Sequence, residues 1–306
     1  MHTLRTFEDL LLVKKPVVLT IGNFDGVHKG HQAVLKELQR HKDAIGGESI
    51  VLTFSNHPGE IVRQASPNML CTLAQRTKLI KEAGADRILL LPFTKELAHE
   101  SADVFMAKII SRCQLKALVL GFNATLGKDK KGGKEELRAL SFKHQFLLEY
   151  VNPVIVDGKQ VSSSLIRREI EAGHLQHISS LLGRPFSLYQ TIQPGLGLAK
   201  KQGYPTLNFN VDGLCIPPLG IYVVEVIQRG QRYRGVANLG IAPTVRTDNH
   251  PLLEVYLLEG KDTTEASLPY EVIYRHYIRP EKKFDILDEL KAQIAKDVEF
   301  AQNYKF

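Results

Sequence analysis

The run Gly22-Asn23-Phe24-Asp25-Gly26-Val27-His28-Lys29-Gly30-His31 joins two segments of different periodicity, and this junction restricts the chain to few folds. Upstream, Val17-Val18-Leu19-Thr20-Ile21 is apolar and β-branched, as a buried strand requires; downstream, Val34, Leu35 and Leu38 recur at helical spacing between Gln32 and Arg40. A strand that enters a helix through a glycine-rich turn aims backbone N–H groups outward, at the helix end where the peptide dipoles favour an anion. Gly22, Gly26 and Gly30 allow a phosphate to approach the backbone closely. His28 and His31, one turn apart, share a helix face from which both imidazoles can donate to phosphate oxygens. A helical zinc pair sits instead at i and i+4 with a glutamate between, and neither feature is present, so phosphate is the preferred ligand.

His28-Lys29-Gly30-His31 resembles the signature of the HxGH nucleotidyltransferase superfamily. The resemblance implies that the histidines hold ATP phosphates while an acceptor attacks the α-phosphate directly, with no covalent enzyme intermediate.

At 306 residues the chain is long enough for two domains, and its pattern changes midway. From Met1 to about Val151, strand candidates (17–21, 50–54, 87–91, 117–120, 146–151) alternate with amphipathic stretches such as Leu73 to Ala83 and Ala102 to Cys113. That alternation predicts an α/β fold with a parallel sheet and the histidine motif at its carboxyl edge. After about Phe186 come short strands and glycine or proline turns. Ile221 to Ile227 and Arg232 to Asn238 flank a hairpin turn, followed by strands at 252–258 and 270–278. A small β-barrel is expected there, with a final helix from about Asp285 packing Leu287, Leu290, Ile294 and Val298 against it. Two short helices ending near Gly173 and Gly183 separate the halves. The expected boundaries are therefore 1–151, a helical linker at 152–185, and 186–306.

No stretch approaches a membrane span, and the N-terminal Leu10-Leu11-Leu12-Val13 is cut short by Lys14 and Lys15, so a cytoplasmic protein without a membrane partner is expected. Cys71, Cys113 and Cys215, odd in number and widely spaced, argue for core residues in a reducing compartment rather than a disulfide framework. The net charge of +7 is mostly interleaved with acids. Its one dense stretch, Lys128 to Lys134, lacks the aromatics of a nucleic-acid platform and suits an anionic ligand such as ATP.

Further segments carry polar groups to strand and helix ends. Thr53-Phe54-Ser55-Asn56-His57-Pro58 reads equally as a turn or a site loop. The loop Gly121 to Gly133 contains Asn123 among glycines and lysines that could cradle phosphate, and Val161 to Arg167 offers the hydroxyls of Ser163 and Ser164 with Arg167 one turn inside a helix. In the second half, Gly195, Gly197 and Gly203 precede Thr206 and Asn208, which fall on one face of a strand start. Their oxygens are suitable magnesium ligands, although plain surface polarity explains the spacing as well. Glu254 is a lone carboxylate in the apolar Leu252 to Leu258 and reads as a paired side chain or as a general base.

The order GNFDGVHKGH, VSSSLIR, LLGRPF, GYPTLN, GVANLGIAPT, LLEVYLL, RPEKKFDILDELKAQIAKD resembles the bacterial bifunctional riboflavin kinase and FAD synthetase family along nearly the whole chain. The resemblance implies an N-terminal FMN adenylyltransferase and a C-terminal riboflavin kinase barrel, with ATP and Mg2+ and with riboflavin, FMN and FAD as substrates or products. It assigns His28 and His31 to ATP phosphates. Asn23, Phe24, Asp25, Asn123, Ser163, Ser164 and Arg167 would shape the same pocket, Thr206 and Asn208 would contact magnesium and phosphate, and Glu254 would be the base. Ala124 and Leu126 stand where the family usually has aromatics near the flavin, which predicts weaker FMN stacking. Pro194, Ala199, Lys200 and Tyr256 depart from the pattern in the kinase half. Retention of only one activity, or a flavin- or nucleotide-binding regulator without catalysis, are the competing expectations.

Overall fold

A computed structural model describes residues 3–62, 67–128, 132–193, 205–241, 250–259, 267–284 and 286–306. The chain divides into two compact units, Met1–Pro67 with Arg76–Ser162, and Asn68–Gln75 with Ser163–Phe306.

In the first unit, β1 (Thr3–Leu4), β2 (Val17–Ile21), β3 (Glu48–Phe54), β4 (Arg87–Leu91), β5 (Leu115–Gly121) and β6 (Leu147–Val151) form a parallel sheet ordered β1-β4-β3-β2-β5-β6. Helices α1 (Lys29–Ile45), α2 (Pro58–Val62), α3 (Leu73–Glu82), α4 (Lys95–His99), α5 (Ala102–Ile110) and α6 (Lys134–His144) punctuate the strands. Every residue of β2 is buried, as a central strand covered on both faces must be. Helix α1 buries Val34, Leu35 and Leu38, the periodic residues of the sequence. The strand order reverses at β2, which lies between β3 and β5, so a crevice opens at the carboxyl ends of β2 and β5. A two-stranded ribbon, β7 (Ile155–Val156) and β8 (Lys159–Gln160), completes this unit.

The second unit opens with α7 (Ser163–Glu171) and α8 (Leu175–Leu182), followed by β9 (Ser187–Gln190), β10 (Thr206–Asn210), β11 (Gly220–Gln228), β12 (Gln231–Ile241), β13 (Pro251–Leu257) and β14 (Tyr270–Arg279). These strands pair antiparallel in the order β10-β13-β12-β11-β14-β9. A bridge between Gln193 and Asn208, with a 2.8 Å hydrogen bond from the Gln193 N–H, joins the continuation of β9 to β10 and brings the two edges of the sheet together as a barrel. Closure removes the unpaired edges that an open sheet would expose. The hairpin between β11 and β12 turns through Arg229 and Gly230, at φ 51° and 80°, the positive pair that a two-residue turn requires. Leu207, Phe209, Ala237, Leu239, Leu253 and Val255 fill the interior and leave the alternate residues of β10, β12 and β13 on the outer face.

Helix α9 (Leu287–Asn303) covers part of that outer face with Leu290, Ile294 and Val298. Leu287 does not join them. It stands in the first helical turn, directly after the extended Ile286, and is 51% exposed. Cys71 and Cys215 are buried and Cys113 is partly so, and none of the three is joined in a disulfide among the described residues. Among the described residues no helix is long and apolar enough to cross a membrane.

Candidate functional site

The turn after β2 is held in an unusual backbone path. Phe24, Gly26 and Val27 have φ of 51°, 73° and 39°, and Val27 is β-branched, so its left-handed conformation is a true outlier. Gly26 meets the requirement without a steric cost. The path delivers His28 to the N-cap of α1, where its Nδ1 accepts the His31 N–H at 3.3 Å. An Nδ1 that accepts carries no proton, so the neutral ring carries its N–H on Nε2. The two imidazoles stack with centroids 3.7 Å apart, and Phe24 lies against His31 at 5.1 Å. Gly30 is needed for a local reason, since a Cβ there would meet the His28 ring at 3.2 Å.

Burial lowers the His31 pKa well below the usual imidazole value, with further contributions from His28 and the Arg76 guanidinium. His31 Nδ1 is itself buried with no hydrogen-bond partner among the described residues. Asn23, Phe24 and Asp25, expected in this pocket, form the turn, with Phe24 and Asp25 buried. The loop Thr53 to Pro58 is a structural turn in its second half. His57 Nδ1 accepts the Gly59 N–H at 2.9 Å, and the Asn56 amide exchanges hydrogen bonds with the backbone of Phe93.

Asn123 is exposed at the start of the loop after β5, but Leu126 turns into the core beside Ala102, and Ala124 packs against the same cluster. Leu126 and Gly132 exchange 3.0 Å backbone hydrogen bonds, which fold the loop back and fix that direction. The residue at 126 therefore serves packing. Leu126→Ala should cost about 2–5 kcal/mol of first-unit stability, as truncation of a buried leucine usually does, read as a lower urea midpoint.

In the barrel, register explains what spacing could only suggest. Asn208, Glu254 and Asn238 pair across β10, β13 and β12 and form one row; Thr206, Tyr256 and Val236 form the next on the same face. This face borders a cavity of about 200 Å3 whose lining includes Thr206, Asn238, Glu254, Tyr256, Arg279 and Ile294. Burial raises the Glu254 pKa, opposed by a hydrogen bond from Asn238 and reinforced by the nearby Glu281 carboxylate. Opposite, Arg279 makes a two-pronged pair with the buried Asp297, Nε to Oδ1 at 3.0 Å and the guanidinium to Oδ2 at 2.6 Å, and Gln293 adds a 3.0 Å bond. This buried pair ties α9 to β14 and so fixes the cavity wall; removal of either partner would strand a charge.

Ser163 and Ser164 begin α7, and Arg167 Nε donates to the Asn68 carbonyl at 2.7 Å. These three belong to the second unit and the histidine pair to the first. Gly195, Gly197, Gly203, Pro194, Ala199 and Lys200 lie outside the described residues. Sequence reasoning missed Arg76, Asn238 and the Arg279–Asp297 pair as parts of these sites. Asn238 could have been found, because it sits two residues from Val236 in an alternating strand; Arg76 gives no periodic signal in its helix.

The FAD synthetase family profile matches residues 12–165 and the riboflavin kinase profile residues 182–305. A Haemophilus influenzae protein named bifunctional riboflavin kinase/FMN adenylyltransferase is 32% identical, with 99% of each chain aligned. A Pseudomonas fluorescens protein of the same name is 33% identical over 99% of this chain and 97% of its own. A Streptococcus pneumoniae crystal structure described as a macrolide-efflux protein superposes with a TM-score of 0.83 at 27% identity, covering 100% of both chains. The chain belongs to the bifunctional riboflavin kinase/FMN adenylyltransferase family.

Proposed function

We propose that the protein makes flavin cofactors in two steps, transferring the γ-phosphoryl of ATP to riboflavin and then the adenylyl group of ATP to FMN, with release of pyrophosphate. The observation that carries this reading is that each unit has its own suitable polar set: the stacked His28 and His31 at the sheet's switch point, and the row Asn208, Glu254, Asn238 beside a cavity.

In the first unit, Nε2–H of His28 and the imidazole of His31 bind ATP phosphates at the N-terminus of α1, where the helix dipole adds to their effect. Asn23, Phe24 and Asp25 shape that pocket, with Asn123 on the loop after β5 of the same unit. In the second, Glu254 accepts the proton of the riboflavin hydroxyl. A raised pKa suits a carboxylate that must take a proton during transfer.

The donor set fits magnesium. Asn208 Nδ2 donates to the Thr206 carbonyl at 3.4 Å, which engages the amide nitrogen and keeps the amide oxygen as a cation ligand. With the Thr206 hydroxyl it offers hard oxygen atoms of the kind Mg2+ prefers. Bound there, the ion would neutralise charge on the ATP phosphates. The remaining contribution is positioning by the chain's own groups, which dominates phosphoryl transfer. We place the enzyme in the cytoplasm, acting on small molecules and not on nucleic acid.

Incubation of the protein with riboflavin, ATP and Mg2+ should give FMN and then FAD on chromatography, and EDTA should stop FMN formation. FMN supplied alone with ATP tests the second step. If neither product forms, the enzymatic reading fails; if FMN forms undiminished in EDTA, the assignment of Thr206 and Asn208 fails.

A further inference from the structure

Arg76 is among the largest fully buried side chains of the protein, and it is buried at the turn that carries the histidine pair. One guanidinium nitrogen donates to both the Asn23 carbonyl and the Asn23 side-chain oxygen, each at 2.8 Å; the other donates to the Phe54 carbonyl at 2.6 Å. The Thr53 hydroxyl adds a 3.1 Å bond to the same Asn23 carbonyl. The group thus links the carboxyl end of β3 to the first residue of the turn.

Putting a guanidinium out of water costs several kcal/mol, so a buried arginine needs a compensating set of acceptors. Here the acceptors are the oxygens that fix where the turn begins. The turn needs fixing because Phe24 and Val27 hold left-handed conformations that cost of order 1–3 kcal/mol each and persist only when the surroundings over-determine them. Arg76 and Thr53 hold it at Asn23; Gln32 Nε2 holds its other end through a 2.8 Å bond to the Val27 carbonyl. Between these anchors the chain has one path to His28, and through the stacked rings one placement for His31.

We infer that Arg76 is a positioning residue for adenylyl transfer: by clamping Asn23 to the end of β3 it fixes the strained turn that sets His28 and His31 for the phosphates of ATP. The inference rests on the adenylyltransferase reading of the first unit. Lysine cannot replace the planar fork, because a compact ammonium on a four-carbon stem does not span the two elements as a guanidinium does. Arg76 also acts on His31 through its charge. With His28 it is the charged or titratable group that bears on His31, and both lower its proton affinity.

The test uses Arg76→Lys and Arg76→Met in the full-length chain. Arg76→Lys should stay folded with a lowered melting temperature and lower kcat for FMN adenylylation at least tenfold, with KM for FMN changed by less than threefold. Loss of the charge in Arg76→Met should move the NMR titration of His31 to higher pH, a response that a packing role alone would not produce. The titration is read without turnover, so it judges Arg76 even if wild-type protein makes no FAD, an outcome that would defeat the adenylyltransferase reading instead. Wild-type kcat in Arg76→Lys, or an unmoved His31 titration in a folded Arg76→Met, would overturn the inference. If Arg76→Met does not fold, the kcat of Arg76→Lys decides.

Discussion

Glu254→Gln should reduce FMN formation from riboflavin by about 10²–10⁴-fold, the range that a positioned general base contributes, while leaving adenylylation of added FMN intact. The substitution keeps the size and hydrogen-bonding shape of the side chain and removes only its ability to take a proton. Glu254 is half-buried on the outer face of β13, between Asn208 and Asn238 in register. Asn238 already hydrogen-bonds its carboxyl, and an amide at 254 can be accommodated by rotation of that neighbour. The fold should therefore survive, and the loss should appear in kcat. Separate assays of the two steps on one preparation decide the matter. A phosphorylation rate within a few-fold of wild type would remove Glu254 from the role of base and leave it a partner of Asn238.

His31→Ala has the second large effect, a fall of about 10²–10³-fold in FAD formation from added FMN, comparable to deletion of one preorganised donor at a developing charge. The ring is held by three separate devices: the stack with His28, the tilted ring of Phe24, and the position of its backbone N–H on His28 Nδ1. The backbone bond survives truncation to alanine, so His28 keeps its cap and its tautomer. The loss then reports the His31 ring itself, together with the stacking face it gives His28. Phosphorylation of riboflavin, carried by the other unit, is the control measured alongside. Unchanged FAD synthesis would show that the pair does not engage the transferring phosphate, whatever its arrangement.

Much of this was legible in the chain. The period change across residues 17 to 40 dictated strand, turn and helix, and β2 and α1 fall there because a buried strand tolerates an apolar run and a half-buried helix needs three apolar positions per two turns. The two-residue hairpin at Arg229 and Gly230 was equally local, since its turn chemistry lies within the residues it bends. Leu287 was misread because periodicity extends a helical face indefinitely, whereas the packed face stops where the barrel does.

The sites divide in the same way. Sequence alone determined that two histidines stand one turn apart at a helix start, and that Thr206 and Asn208 share a strand face, because both follow from the 3.6- and 2-residue periods of a single element. Only the tertiary structure decided that Glu254 lies between Asn208 and Asn238, since register across β10, β13 and β12 depends on how three strands distant in sequence pair and not on any one strand. It also decided that Leu126 belongs to the core and that Arg76, from a distant helix, reaches Asn23. Those are contacts between elements remote in sequence, and the chain leaves no periodic mark of a neighbour that only folding supplies.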